Sequence, residues 1–161
     1  MSNNNNDTTK KSPEIRNRKA RHEYSVDDTF EAGIVLKGTE VKSLRQGKAS
    51  FTDSFAFMDH GEIYLKDLYI KEFDQGSYNN HDPRRIRKLL LNKNEIQKID
   101  KAISQKGYTL IPLKIYFKRG YAKVLLGLAR GKKQYDKRAD IAKKDMKREL
   151  ERNLKKSQFK I

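Results

Sequence analysis

The chain has 161 residues, and its 37 Lys and Arg against 21 Asp and Glu give a formal net charge of +16. That length suits one ordinary domain with tails, and the charge makes an anionic polymer the first partner to consider. The absence of Cys excludes disulfides and thiolate metal sites, and no apolar run approaches the roughly 20 residues of a membrane-spanning helix.

The first 22 residues are polar and then basic. Residues 1–14 are rich in Asn, Thr, Ser and Lys and are predicted to be disordered, because they offer too little apolar surface to offset chain entropy. They contain no apolar h-region, so we expect no secretory signal. The absence of Cys fits a cytoplasmic protein. Residues 15–22 form a basic cluster that contains Arg16, Arg18, Lys19 and Arg21.

Short apolar or alternating runs follow and predict strands at residues 31–37, 54–58 and 62–67. Between the first two runs, Thr39 is a plausible helix N-cap and Gly47 a left-handed stop, which predicts a helix of one or two turns. Residues 74–88 contain turn-forming and then basic residues, which predicts an exposed loop. The histidine in that loop, His81, is expected to be solvated or to cap a turn.

The clearest helix lies between Asn92 and Gly107. Asn92 with Glu95 three residues later has the spacing of a capping box, and Gly107 suits the position after the last turn. Next, apolar and polar residues alternate along much of residues 110–118, so Ile111, Leu113, Ile115 and Phe117 are expected to share one face. Pro112 favours an edge or a bulge there, and residues 121–128 complete a β-hairpin.

Five or six short strands with two helices predict a mainly β protein. The strands are expected to curl into a small closed or partly closed barrel that spans residues 15–130, and an oligonucleotide-binding-type barrel is one such architecture. Residues 131–161 form a basic tail with net charge +7, whose apolar stripe recurs every four residues at Ala142, Met146, Leu150 and Leu154. Such a narrow stripe predicts a tail that is unfolded alone and helical when bound.

The segment GLARGKKQYDKR (127–138) joins the predicted core to this tail. It places Arg130, Lys132, Lys133, Lys137 and Arg138 around Tyr135, so its cations can neutralise phosphates and its ring can stack on a base. The alternative is a solvated charged linker. Together with residues 15–22 and the basic part of 84–88, it gives three cationic segments that could converge on one end of a barrel.

Patterns of catalysis are weak by comparison. The three histidines lie far apart without partners at metal-ligand spacing, so no metal, cofactor or catalytic residue is predicted. The segment from Gly127 to Lys133 is one residue short of a phosphate loop and lacks its Ser or Thr. Binding to a membrane surface is less favoured, because the tail lacks Trp and a wide apolar face.

Five segments then resemble one family, the small protein B (SmpB) family of proteins that bind SsrA RNA, also called transfer-messenger RNA. They are NRKARHEY (17–24), FEAGIVLKGTEVKSLRQGKA (30–49), NHDPRRIRKLLL (80–91), KGYTLIPLKIYFKRG (106–120) and GLARGKKQYDKR (127–138). The resemblance implies a six-stranded antiparallel barrel with short flanking helices. It also implies an RNA-binding factor of trans-translation that catalyses no reaction itself.

The resemblance further implies partners and site residues. The expected partners are the tRNA-like domain of transfer-messenger RNA, the stalled ribosome, and elongation factor Tu through the charged RNA. By motif, Asn17, Glu31, Leu90 and Lys123 match positions that the family uses on the RNA, and Arg130, Gly131, Lys132 and Lys133 resemble its basic run at the exit of the barrel. Arg18, Lys19 and Arg21, which precede the first predicted strand, are expected to bind RNA as well. Tyr135, Asp136, Lys137 and Arg138 match the element that enters the decoding centre of the ribosome. The tail would follow into the empty mRNA channel.

Two other functions remain open. A general RNA-chaperone barrel would bind unrelated RNAs equally well, and competition between tRNA-like and random RNA separates that alternative. An RNA-processing enzyme would cleave labelled RNA in the presence of magnesium.

Overall fold

A computed structural model describes residues 12–76, 79–132, 142 and 144–153. Between residues 15 and 131 it contains nine β-strands and three α-helices. In chain order these are β1 (Ile15–Arg16), α1 (Ala20–Glu23), β2 (Tyr24–Ile34), α2 (Gly38–Arg45), β3 (Ala49–Ser50), β4 (Phe55–Asp59), β5 (Glu62–Lys66), β6 (Tyr69–Ile70), β7 (Arg87–Leu90), α3 (Lys93–Lys106), β8 (Thr109–Lys118) and β9 (Tyr121–Gly131).

Seven strands form one antiparallel sheet in the order β1-β8-β9-β2-β7-β5-β4, and β3 pairs with β6 separately. This confirms a mainly β antiparallel fold with short helices. The predicted six-stranded barrel needs correction, since the described strands number seven in this sheet and its two edges are not hydrogen-bonded to each other. The sheet curls until β4 and β8 have Cα atoms within 8 Å. However, β1 pairs with β8 at Lys114 and Ile115 and takes the edge that β4 would need for closure.

The helices follow the predicted signals in part. Helix α3 begins after Asn92 and ends at Gly107, whose φ of 68° is the left-handed conformation that glycine adopts readily. The Asn92 side chain makes no capping hydrogen bond, so the predicted capping box is not formed. Leu44 on α2 is fully buried, and Gly47 follows with φ of 72°. Every helix among the described residues is too short or too polar to span a bilayer.

The hairpin of β8 and β9 contains a bulge between Pro112 and Lys114, as Pro112 predicted. The bulge overturns the expectation of a single apolar face along β8. Ile115 packs in the main core, whereas Ile111 and Leu113 lie in a second cluster with Ala20 of α1. The extra residue shifts the alternation, so the first half of β8 is buried on both faces and α1 is held against the sheet.

Candidate RNA-binding surface

Strand β2 brings three of the family-matched residues together. Gly33 is the register partner of Leu90 in β7 and of Lys123 in β9, so these two side chains lie on either side of it. Glu31 lies two residues before Gly33 and therefore on the same outward face, while Ala32 between them is fully buried. A Cβ on Gly33 would lie 3.3 Å from the Leu90 Cβ, so glycine leaves room for that side chain.

Two further side chains complete this surface. The Tyr116 hydroxyl donates a hydrogen bond to Glu31 Oε2, and Lys118 Nζ lies 3.4 Å from Glu31 Oε1. Glu31, Leu90, Tyr116, Lys118 and Lys123 are hereafter the Glu31 surface. Sequence reasoning missed Tyr116 and Lys118, although their outward position in an alternating strand was the available signal.

The hydrogen bond from Tyr116 lowers the pKa of Glu31, and the charges of Lys118 and Lys123 lower it further. Burial raises the pKa of Tyr116, and its bond to Glu31 adds to that increase. The surface therefore holds an ionised carboxylate, a protonated phenol and two cations side by side. Leu90 is 53% exposed and adds an apolar patch next to them. Such a set can accept hydrogen bonds from base amino or imino groups while its cations face phosphates.

The exit of β9 forms a second cationic region at the other end of β2. Gly131 pairs with Tyr24, and the backbone N–H of Lys132 donates to the Glu23 carbonyl at 2.9 Å. The folded strand thus runs one residue past the predicted domain boundary at 130. Arg130 is exposed, and its guanidinium lies 4.2 Å from the centre of the Tyr108 ring.

The N-terminal residues lie next to this exit. The Asn17 side-chain amide donates to the Pro112 carbonyl at 2.8 Å, and the Asn17 backbone N–H donates to the Leu113 carbonyl at the same distance. Asn17 therefore anchors the segment to β8. Arg18, Lys19 and Arg21 are exposed nearby. The described part of the β9 exit therefore lies beside the N-terminal cationic segment, whereas the sequence suggested that all three cationic segments could converge.

The third cationic segment, residues 84–88, does not join them. It lies beyond the Ile34 end of β2, where β7 pairs with that strand. Arg87 is fully buried, with its Nε bonded to the buried Glu40 carboxylate and its Nη1 2.6 Å from the Leu68 carbonyl. Arg85 Nη2 lies 2.5 Å from the other Glu40 oxygen. Two of the four cations in residues 84–88 are therefore held in an ion pair with Glu40.

Charge and burial compete in this ion pair. Burial alone would raise the pKa of Glu40, but hydrogen bonds from Arg85 and the Lys37 N–H, with the charge of Arg87, hold it below its usual range. Burial lowers the pKa of Arg87, and Glu40 opposes that shift. The cluster fixes α2 to the start of β7 and so positions the strand that carries Leu90.

His81 also has a structural position that the sequence did not predict. It is 2% exposed, with Nδ1 2.9 Å from Thr39 Oγ1 and Nε2 2.9 Å from the Ile70 carbonyl. The expectation of a solvated loop histidine was wrong, because both ring nitrogens are used to hold the 71–86 connection against α2. No group of three or more metal-ligating side chains occurs among the described residues.

Several predicted residues lie outside the described residues: Lys133, Tyr135, Asp136, Lys137 and Arg138. Residues 142 and 144–153 are helical and exposed, with Met146 at 65% and Leu150 at 61% exposure. The fourth member of the predicted stripe, Leu154, is also outside the described residues.

A curled antiparallel sheet with a cation-bearing face is typical of a nucleic-acid-binding protein. The model of the SmpB protein family matches residues 14–156, so the chain belongs to the SmpB family, whose members are RNA-binding factors rather than enzymes. An SsrA-binding protein of Thermus thermophilus is 60% identical over 140 residues, which are 86% of this chain and 97% of that protein. The SsrA-binding protein of Bacillus subtilis is 51% identical over 143 residues, 89% of this chain and 92% of that one.

A solved structure supports the same assignment. It is described by the words "tmRNA-SmpB: a journey to the center of the bacterial ribosome" and is 63% identical to this chain. The match has a TM-score of 0.64 and covers 76% of this chain and 86% of that one.

Proposed function

We propose that this chain binds the tRNA-like domain of transfer-messenger RNA and delivers it to the A site of stalled ribosomes. The observation that carries the proposal is the register of β2. It brings Glu31, Leu90 and Lys123, three residues separated widely in sequence, onto one face around Gly33. Membership of the SmpB family supports transfer-messenger RNA as the ligand and trans-translation as the process.

The Glu31 surface is suited to a folded RNA rather than to any polyanion. Phosphate contacts need only cations, whereas a fixed carboxylate repels phosphates and favours base edges that donate hydrogen bonds. Tyr116 and Lys118 fix the Glu31 carboxylate, so the pattern of donors and acceptors is set before RNA arrives. A general RNA chaperone would have no use for such an acid.

In this proposal, the exit of β9 and the tail bind the ribosome. Arg130 to Lys133 would contact ribosomal RNA, and Tyr135, Asp136, Lys137 and Arg138 would enter the decoding centre. The remaining tail would occupy the mRNA channel, which is vacant after a truncated message. An intact message would fill the same channel, which gives the physical basis for selecting stalled ribosomes. Elongation factor Tu would take part through the charged RNA, and the protein would act in the cytoplasm with the ribosomes.

A competition experiment tests the RNA-binding part. Binding of labelled tRNA-like domain is measured for the wild type, Glu31→Gln, Lys123→Ala and the control Lys101→Ala, against random RNA of equal length. Loss of a charge-assisted contact at Lys123 should weaken binding roughly tenfold, equal to about 1.4 kcal/mol. Lys101 is an exposed residue of α3, and its replacement should change affinity less than about twofold. Equal competition by random RNA would favour the general chaperone.

A further inference from the structure

The incomplete closure of the sheet leaves a groove between β4 and the β1–β8 edge. Its volume is about 560 Å³, within the range of pockets that hold small ligands. One wall comes from the residues before and within α1, including Arg16, Arg18 and Lys19, and the other from residues 50–55. Glu23 and Asp53 also line it, so cations exceed carboxylates by one.

A row of aromatic side chains begins at this groove and continues over the outer face of β4 and β5. Phe55 lines the groove, and its ring centre is 6.2 Å from that of Phe57. Phe57 is the register partner of Tyr64, and these two rings stack at 5.7 Å with an interplanar angle of 26°. Phe55, Phe57 and Tyr64 are hereafter the aromatic row.

The aromatic row is not part of the hydrophobic core. The alternate residues of the same strands, Ala56, Ile63 and Leu65, are the ones buried in the core, whereas Phe55 is 40% exposed. Phe57 and Tyr64 are half-buried, so the row presents a partly exposed aromatic surface at the β4 edge of the sheet. A base stacked on them would remove that exposed area from water.

Cations accompany the row on both sides. Lys66 Nζ lies 6.0 Å from the centre of the Phe55 ring, and Lys88 is the register partner of Tyr64. Lys88 Nζ is 3.7 Å from Glu62 Oε2, an ion pair exposed to solvent. Leu90 of the Glu31 surface lies two residues from Lys88 and diagonally across from Tyr64, so the two surfaces are continuous.

We infer that the aromatic row and the adjoining groove form a stacking site for unpaired nucleotides of RNA. The inference rests on the proposed function, because the RNA held at the Glu31 surface would supply those nucleotides. Bases in a duplex cover each other's faces, so only an unpaired base can stack on these rings. Lys66 and the groove cations would neutralise the phosphates of the same strand. A protein ligand is less favoured, because the row is flanked by Lys66, Lys88 and the cations of the groove.

Tryptophan fluorescence gives a direct test, since the natural chain contains no Trp. Phe55→Trp places a single indole in the row, and Gln97→Trp places one at an exposed position of α3 as the matched control. Titration with a single-stranded oligouridine at moderate salt should quench the first variant and leave the second unchanged. A duplex of equal charge should quench neither. Quenching of both variants alike, or of neither by the single strand, would overturn the inference.

Affinity provides the second measurement and separates this inference from the proposed function. The pair of substitutions Phe55→Leu and Tyr64→Leu removes two rings but keeps apolar side chains. It should weaken oligouridine binding about 5- to 100-fold and leave the greater part of tRNA-like-domain affinity intact. Unchanged oligouridine affinity in that variant, with Lys123→Ala still impaired for the tRNA-like domain, would overturn the stacking site alone. Failure of the wild type to bind either RNA would overturn both.

Discussion

The two ends of β2 present surfaces of different kinds. Near Ile34, the Glu31 surface combines an acid, a phenol, an aliphatic side chain and two cations, and Arg85 and Arg87 in the segment before β7 and at its start are bound to Glu40. Near Tyr24, roughly 30 Å away along the strand, exposed cations of the N-terminal segment meet the exit of β9. The first surface is suited to a specific folded RNA, and the second to a polyanion of any sequence.

This difference shows that a count of cations is a poor guide to available charge. Residues 84–88 and 127–138 look similar in the sequence, yet the buried Glu40 uses two cations of the first segment. Charge that is buried in an ion pair stabilises a strand position, whereas charge at the surface attracts a ligand. Substitutions at each end of β2 can therefore test the role of each surface separately.

The largest effect is expected at the buried ion pair. Glu40→Gln removes the charge that compensates the buried Arg87, so the free energy of unfolding should fall by about 3 kcal/mol. Urea denaturation measures this, with Glu72→Gln, an exposed site, as the control. A loss below 1 kcal/mol would mean that the cluster does not hold α2 to β7.

The same pair predicts a pH dependence. The pKa of Glu40 is lowered in the folded state, so its ionisation stabilises the fold fully above its unfolded pKa, about 4.3. That contribution is lost as the pH falls through the lower folded value. Wild-type stability should therefore fall more steeply below about pH 4 than that of Glu40→Gln. Parallel curves in denaturation experiments would contradict the assignment.

An intermediate effect is expected at the exit of β9. Replacing Lys132 and Lys133 by Ala should reduce the slope of log affinity against log salt for ribosome binding by about 1 to 2, because fewer counterions are released. Affinity for the isolated tRNA-like domain should change less. If the slope of log affinity against log salt were reduced for the tRNA-like domain instead, the two ends of β2 would form one binding surface.

The smallest effect concerns pH and the Glu31 surface. Because the pKa of Glu31 lies below its ordinary value, the carboxylate stays ionised between pH 7.5 and 5.5. The ratio of tRNA-like-domain affinities between wild type and Glu31→Gln should therefore stay constant to within about twofold over that range. Affinities for the tRNA-like domain measured at both pH values check this ratio. A ratio that approaches one at pH 5.5 would show that Glu31 is protonated there.

Local signals predicted the elements that local physics determines. Helix α3, its end at Gly107, the β8–β9 hairpin and the bulge near Pro112 follow from spacing and residue type. The first half of β2 was not predicted, because its side chains remain exposed or half-buried and include Asp27 and Asp28. Strand β1 was missed as well, since two residues carry no pattern.

Long-range pairing decides what the sequence could not show. Nothing local distinguishes Glu40 from a surface acid at the start of a helix, and only packing against β7 buries it. The grouping of Glu31, Leu90 and Lys123 depends on the register of three strands. Family resemblance suggested these residues individually, and the register of the sheet shows that they share one face.

The most direct test of the account measures two activities of one truncated chain. A protein ending at Lys132 keeps the pairing of Gly131 with Tyr24 and lacks the tail. Its affinity for the tRNA-like domain should match that of the full chain within about threefold, while peptide tagging on stalled ribosomes should be abolished. Tagging at the level of the full chain, or loss of RNA affinity in parallel with tagging, would contradict the division of labour between the folded domain and the tail.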